Sequence, residues 1–430
     1  MLYAIGSRAH SIFLFFSGMQ RSPNMKAIST TTLSTPIGTY IYDVTRASPH
    51  ALAAICSDDS LRWASRSTLA LTGCIPATHH LGVTCLSSLS DTTVLTGGRD
   101  GTISIYDERT YSRTTTLRAG GSAAILSVAS TSTAIAAGTE HVPGGTSAKV
   151  IVWDVRSPYD VLAEYTESHN DDVTAVRFHP RLPHLLVSAG ADSLVSVYDL
   201  RRKPATGGEA TDDDAALWRV VNHGYPVRCA GFLGEGGEEM YALSHDEVLA
   251  VYELNDAGAE ETRGFGDVRG VLGCEYVIDV VRKGAEAVVA VGSKGEGEVD
   301  RQWVDLVLLK TDESGVRGWA LAREKVRLEG GHGEDVVRGV FIDHEVSPLP
   351  TPWVVCTSDL GRRGRYLLLG RMGWSRCGEK IVGLWEKLGA SRAGRRGKGR
   401  RRGAVLDTNL TRLAGLYQEL HLASAVVGAW

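Results

Sequence analysis

His169-Asn170-Asp171-Asp172-Val173-Thr174-Ala175-Val176-Arg177-Phe178-His179-Pro180, continued by Leu185-Leu186-Val187-Ser188-Ala189-Gly190-Ala191-Asp192-Ser193-Leu194-Val195-Ser196-Val197-Tyr198-Asp199-Leu200, decides the fold of this chain. Two apolar alternations, Val173 to Phe178 and Leu194 to Tyr198, flank a short apolar run at Leu185 to Val187. Each has the length, β-branched content and period of a strand. A Pro-bearing turn at His179 to Pro183 and a Gly-Ala-Asp-Ser turn separate them, as antiparallel strands require. Three strands in about thirty residues cannot cover both faces of their own sheet. The unit needs neighbours.

Neighbours are present. The ending recurs as Gly98-Arg99-Asp100-Gly101-Thr102-Ile103-Ser104-Ile105-Tyr106-Asp107, as Lys149-Val150-Ile151-Val152-Trp153-Asp154, and more weakly as Asp246-Glu247-Val248-Leu249-Ala250-Val251-Tyr252-Glu253. The closing aromatics Trp63, Tyr106, Trp153, Tyr198 and Tyr252 fall 43, 47, 45 and 54 residues apart. A four-stranded propeller blade repeats every ~40–45 residues. The opening recurs as His223-Gly224-Tyr225-Pro226-Val227-Arg228 and as Gly331-His332-Gly333-Glu334-Asp335-Val336-Val337. These residues resemble the WD-repeat β-propeller family, with its Gly-His openings and Trp-Asp closings. Ser57-Asp58-Asp59-Ser60-Leu61-Arg62 and His169 to Pro180 look most like the WD repeat-containing protein 89 group.

The expected fold is therefore all-β, a single seven-bladed propeller of four-stranded antiparallel blades over residues 25–389. The resemblance implies closure by an N-terminal strand, for which Ala27 to Leu33 is the candidate. Closure removes the open edge that would otherwise invite aggregation. Blade two has the best turn, Arg99-Asp100-Gly101, with the Asp-Gly dipeptide of a tight hairpin. Arg201 to Asp214 reads as a charged, Gly-rich surface excursion with nothing to bury. The last blade opens at Val336 to Ile342 and regains strand character at Ile381 to Trp385. Between them Pro348, Pro350 and Pro352 crowd five residues, so 346–377 is expected to be an insertion or a gene-model error.

The ends read differently. Residues 1–24 are expected to be a disordered extension, or an over-long start with initiation at Met25. A transit peptide is a weaker reading, resting on Arg8, Arg21 and Lys26 with no acid before Asp43. Residues 390–403 form a basic low-complexity linker, and 404–430 a short amphipathic helix with Leu406, Leu410, Leu413 and Leu420 at helical spacing.

Composition bounds the function. The 430 residues are 43% apolar, enough for a large core. The net charge of −4 hides an asymmetry. Arg392 to Arg402 holds seven cations and no acid, so the rest of the chain stands at −11. Such a body attracts phosphate backbones poorly. The seven cysteines form no C-x-x-C pair and read as small buried hydrophobes of a reducing compartment. No run approaches the ~20 apolar residues of a membrane span.

His169, Ser188, Asp192 and Tyr198 look catalytic if taken alone, but the resemblance implies a structural hydrogen-bond chain across one blade. Recurrence of the same types at His223, Ser244 and Asp246 favours that reading over a reactive triad. No catalytic residue, metal site or cofactor is expected. Gly-x-Ser-x-Gly is absent, Lys149 fails the phosphate-loop spacing, and His79-His80 stands as a lone pair. Arg99, Asn170, Asp171, Tyr225, His245 and Glu334 sit in or beside the repeated turns and make the candidate partner-binding face. Arg395, Arg396, Lys398, Arg400, Arg401 and Arg402 form a basic tail, an import address or a nucleic-acid patch. The expected function is a non-catalytic scaffold for proteins or peptides in the nucleus or cytoplasm, monomeric within a complex. A WD-repeat esterase and an RNA-associated nuclear factor are the alternatives.

Overall fold

The computed structural model describes residues 10–16, 25–36, 38–144, 147–202, 213–255, 258–293, 303–311, 318–329, 336–343, 353–359 and 370–371. Two N-terminal strands come first, β1 (His10–Phe16) and β2 (Met25–Thr31). Blade one is β3 (Ile41–Arg46), β4 (Ala51–Cys56), β5 (Leu61–Ser65) and β6 (Leu71–Ile75). Blade two is β7 (Val83–Ser90), β8 (Thr93–Gly98), β9 (Thr102–Asp107) and β10 (Ser112–Arg118). Blade three is β11 (Ile125–Ser130), β12 (Ala134–Thr139), β13 (Val150–Asp154) and β14 (Ser157–Tyr165). Blade four is β15 (Val173–Phe178), β16 (Leu185–Gly190), β17 (Leu194–Asp199) and, after the short helix α1 (Asp213–Ala216), β18 (Leu217–Asn222). Blade five is β19 (Val227–Leu233), β20 (Glu239–Ser244), β21 (Val248–Asn255) and β22 (Gly258–Asp267). Helix α2 (Val268–Leu272) leads into blade six, β23 (Tyr276–Lys283), β24 (Glu286–Gly292), β25 (Val304–Thr311) and β26 (Trp319–Glu329). Then come β27 (Val337–Asp343), β28 (Trp353–Asp359) and β29 (Gly370–Arg371).

Within each of the six blades the strands pair antiparallel in chain order. The two middle strands are covered on both faces. Leu185–Gly190 is buried at every position, because neighbouring blades press on it from either side. That is why its sequence is an unbroken apolar and small-residue run rather than an alternation. The third-strand aromatics Trp63, Tyr106, Trp153 and Tyr198 are fully buried. Core clusters lie between successive sheets. One joins Val187 and Val197 to Ala230 and Ala242 between blades four and five. Another carries the ring from blade six through Val337, Val340 and Ile342 back to Ile41, Val44 and Leu52 of blade one.

The expectation of seven blades is corrected to six. β27 and β28 do not complete a blade of consecutive strands. β28 pairs on one side with β27 and on the other with β1, β1 pairs with β2, and β2 runs on into blade six through a short parallel pairing of Met25 and Lys26 with Leu328 and Glu329. All four therefore belong to the same nine-stranded sheet as blade six. The N-terminal strand does join the last sheet, as Met25–Thr31, but through β1 rather than directly on β28. β1 itself lies in the stretch expected to be an extension, and β28 in the stretch expected to be an insertion. Ile381 to Trp385, the linker 390–403 and the segment 404–430 lie outside the described residues.

Candidate functional site

Strand direction alternates within a blade, so the turn between its second and third strands lies at the same end as the loop entering its first strand. The two are pinned by one recurring bond. Arg99 N donates to Gly82 O, Ala191 N to Asp172 O and His245 N to Pro226 O, each at 2.9 Å. The turn closes on a left-handed residue, Gly101 at φ +69°, Ser193 at +71° or Glu247 at +62°. Gly101 suits this both ways, since a side chain there would also run into the Gly121 carbonyl.

In blade four His169 Nδ1–H donates to Asp192, 3.1 Å from its Oδ2. His169 Nε2 lies 2.7 Å from Ser188 Oγ, which is 3.2 Å from the Tyr198 hydroxyl. His169 and Ser188 are buried. Burial by itself would raise the Asp192 carboxyl. The His169 hydrogen bond and charge, with the N–H groups of Asn170 and Leu194, outweigh it and hold the carboxyl below its ordinary value. Burial pushes the Tyr198 hydroxyl up to about 12, so it stays protonated. The four predicted residues are thus brought together as a cross-strand chain.

Blade two repeats the histidine bonds of this chain, which the reading of His79-His80 as a lone pair missed, while its Tyr106 hydroxyl donates to Thr78 O instead. His80 Nδ1 lies 3.0 Å from Asp100 Oδ1, and Nε2 lies 2.8 Å from Thr96 Oγ1. Thr102 Oγ1 adds a bond to Asp100 at 2.9 Å.

Blade five departs. His223 Nδ1 bonds the Tyr252 hydroxyl at 2.8 Å, and Nε2 faces Val248 O at 3.2 Å. Ser244 Oγ instead accepts the N–H groups of Asp246 and Val248. The expected union of His223, Ser244 and Asp246 is therefore corrected, and the register gives the reason. Val83, Val173 and Val227 pair with Gly98, Gly190 and Ser244, so Ser244 occupies the glycine position. The residue matching Ser188 is Ala242, which has no hydroxyl to offer. A Cβ on Gly190 would meet Asp192 Oδ1 at 2.5 Å and His169 Nδ1 at 2.7 Å, and on Gly98 would meet the His80 ring at 2.4 Å. The histidine–aspartate bond needs that glycine, and blade five lacks it.

Two further devices escaped the sequence reading. A recurring Asp-x-Arg fork closes the opposite end of three blades: Asp107 with Arg109, Asp154 with Arg156 and Asp199 with Arg201, the guanidinium–carboxylate distances being 2.8, 2.6 and 2.9 Å. The Arg156 guanidinium holds the Asp154 carboxyl down at about 2. Side chains near the start of the inner strands of blades two to five also clasp the next blade. Thr84 donates to Ile125 O, Ser127 to Val173 O at 3.1 Å, Thr174 to Val227 O at 2.7 Å and Arg228 to Val277 O at 2.9 Å. Asp213, inside the expected surface excursion, is buried and accepts from Thr166 N, Glu167 N and Ser168 Oγ.

Of the predicted face, Arg99, Asn170, Asp171, Tyr225 and His245 are all exposed at the end that carries the turns. Glu334 and the basic tail residues Arg395, Arg396, Lys398, Arg400, Arg401 and Arg402 lie outside the described residues. The thiols offer little chemistry. Burial pushes Cys56, Cys85 and Cys229 up to about 12, so each remains a neutral, weak nucleophile. At the other end, a cleft of about 360 Å³ between blades four and five is lined by His179, Leu182, Trp218, Glu238 and Leu254.

The WD domain, G-beta repeat family matches residues 71–107 and 161–199. The chain carries WD repeats. Each matched WD repeat runs from the outer strand of one blade through three strands of the next, β6 to β9 and β14 to β17. These are the repeats in which a histidine bridges the turn aspartate and a strand hydroxyl. An uncharacterized WD repeat-containing protein of Saccharomyces cerevisiae is 29% identical over 250 residues, 56% of each chain. Another, of Schizosaccharomyces pombe, is 30% identical over 203 residues, 46% of this chain and 57% of that one. The WD repeat-containing protein 89 homolog of Dictyostelium discoideum is 28% identical over 242 residues, 56% of this chain and 62% of its own length. The chain thus spans about three-fifths of the length of these relatives. A chain in the crystal structure of the mitotic checkpoint complex, 20% identical, superposes with a TM-score of 0.49 over 61% of this chain and 75% of that one. That likeness is too loose to bear on function.

Proposed function

We propose that this WD-repeat chain is a non-catalytic scaffold, monomeric within a complex, that binds proteins or peptides through the loops of the turn-bearing face. One observation carries the reading. The His-Ser/Thr-Asp sets that could pass for catalytic groups occur in two blades as cross-strand bonds around buried histidines, where they satisfy polar atoms and set loop shape. Outside them, Arg99, Asn170, Asp171, Tyr225 and His245 stand exposed on a rigid frame, where recognition ordinarily sits. Partners are sought in the nucleus and cytoplasm.

Affinity capture from cells, with and without RNase, tests this. Protein partners that survive RNase and are weakened by Arg99→Glu or Asp171→Lys, with the melting temperature unchanged, support the scaffold. Partners lost on RNase treatment support the RNA-associated alternative. A purified, partner-free chain that turns over a panel of esters contradicts the non-catalytic reading.

A further inference from the structure

The turn of blade five differs from its siblings in a way that leaves a carboxylate on the surface. In blades two and four the turn aspartate is held by histidine, Asp100 by His80 and Asp192 by His169. In blade five Ser244 fills the space the bond needs and His223 bonds Tyr252 instead. Asp246 is left exposed, its backbone N–H held by Ser244 and its carboxylate accepting no hydrogen bond from the described residues.

The neighbouring charges are already matched. Arg228 pairs with Glu247 at 3.4 Å and Arg269 with Asp267 at 2.7 Å. Burial, then the Arg228 charge, keep His245 below its ordinary value, so it does not cancel Asp246 at neutral pH. Asp246 is the surplus anion of this patch. Beside it, the bond from His245 N to Pro226 O sets the turn back to back with the loop carrying Tyr225, a residue 45% exposed whose ring meets that of His223 in a T-shaped contact at 6.2 Å. An outward carboxylate on one loop and a half-exposed tyrosine on the loop bonded to it suit a cation that both hydrogen-bonds and packs on a ring.

We propose that Asp246, with Tyr225 and His245 beside it, receives a lysine or arginine side chain of a partner protein. This rests on reading the turn-bearing face as the interaction face, and names the chemistry it selects.

The test uses the purified full chain and three fluorescein-labelled octapeptides of Ala and Ser carrying two Arg, two Lys or two Glu, followed by anisotropy. The Arg and Lys peptides should bind saturably and the Glu peptide should not. Asp246→Asn should weaken binding about tenfold, the scale of one charge-assisted contact. Glu235→Gln, an exposed acid at the other end of blade five, should leave it within about twofold and reports the general attraction of an acidic body. The pair Ala242→Ser and Ser244→Gly restores the hydroxyl and the room for the His223–Asp246 bond, and should weaken binding as Asp246→Asn does. Equal effects of Asp246→Asn and Glu235→Gln overturn the proposal. So does the absence of saturable binding to the cationic peptides, whatever the cellular capture experiment returns.

Discussion

In blade four Gly190 leaves room for His169 to close on Asp192. In blade five Ser244 stands at the same place, and His223 and Asp246 part company. The two turns share length, end of the propeller and the bond that pins them to the entering loop. One methylene-sized volume and one missing hydroxyl, at Ala242, separate an internal lock from an outward-facing acid. In blades two, four and five the turn aspartate is locked or left outward according to whether the residue two before it is glycine.

Gly190→Ala is the harshest way to break that comparison. Its Cβ overlaps both members of the bond, so strain adds to the lost interaction, and we expect about 2–5 kcal/mol of destabilisation by denaturant unfolding. Asp192→Ala strands the His169 donor and the N–H groups of Asn170 and Leu194, and should cost about 1–3 kcal/mol. A double mutant sharpens the point. Because both changes remove the same bond, Gly190→Ala in the Asp192→Ala background should cost clearly less than alone, and strict additivity would contradict the shared mechanism.

Acid gives a milder probe. The Asp192 carboxyl lies below its ordinary value when folded, so it stabilises the protein above the unfolded carboxylate value and that gain fades as pH falls through the folded one. The stability gap between wild type and Asp192→Ala should therefore narrow below about pH 4. A gap that stays constant down to acid unfolding would contradict an ionised, histidine-held Asp192. The smallest effect belongs to blade five. Ala242→Ser with Ser244→Gly should raise stability slightly, by about 1 kcal/mol, if His223 turns back to Asp246. No change, with His223 still on Tyr252 by structure, would show that the rewiring has a further cause.

Much of this was legible in the sequence. The blade period followed from aromatics near 45 residues apart, and the blade-four chain of His169, Ser188 and Asp192 from the resemblance to WD repeats. The sequence suggests a chain in blade five because Ser244 supplies the right residue type two positions out of register with Ser188, while Asp246 stands in register with Asp192. Counting back from the aspartate to the glycine position would have exposed the offset. His80 was hidden by a shorter first hairpin. Its partners Thr96 and Asp100 come 16 and 20 residues on, against 19 and 23 for Ser188 and Asp192. The Asp-x-Arg forks were visible at 107–109, 154–156 and 199–201, but an isolated pair of opposite charges carries no strand period to draw the eye. The pairing of β1 with β28 joins residues some 340 positions apart, and local pattern holds no record of such a partner.

Thermal melts of Asp192→Ala and Asp246→Ala, measured side by side on the full chain, test the central claim most directly. The account predicts that Asp192→Ala lowers the melting temperature by a few degrees while Asp246→Ala leaves it in place, since one carboxylate is a buried lock and the other an exposed acceptor. Equal shifts, or a shift at Asp246 alone, would contradict it.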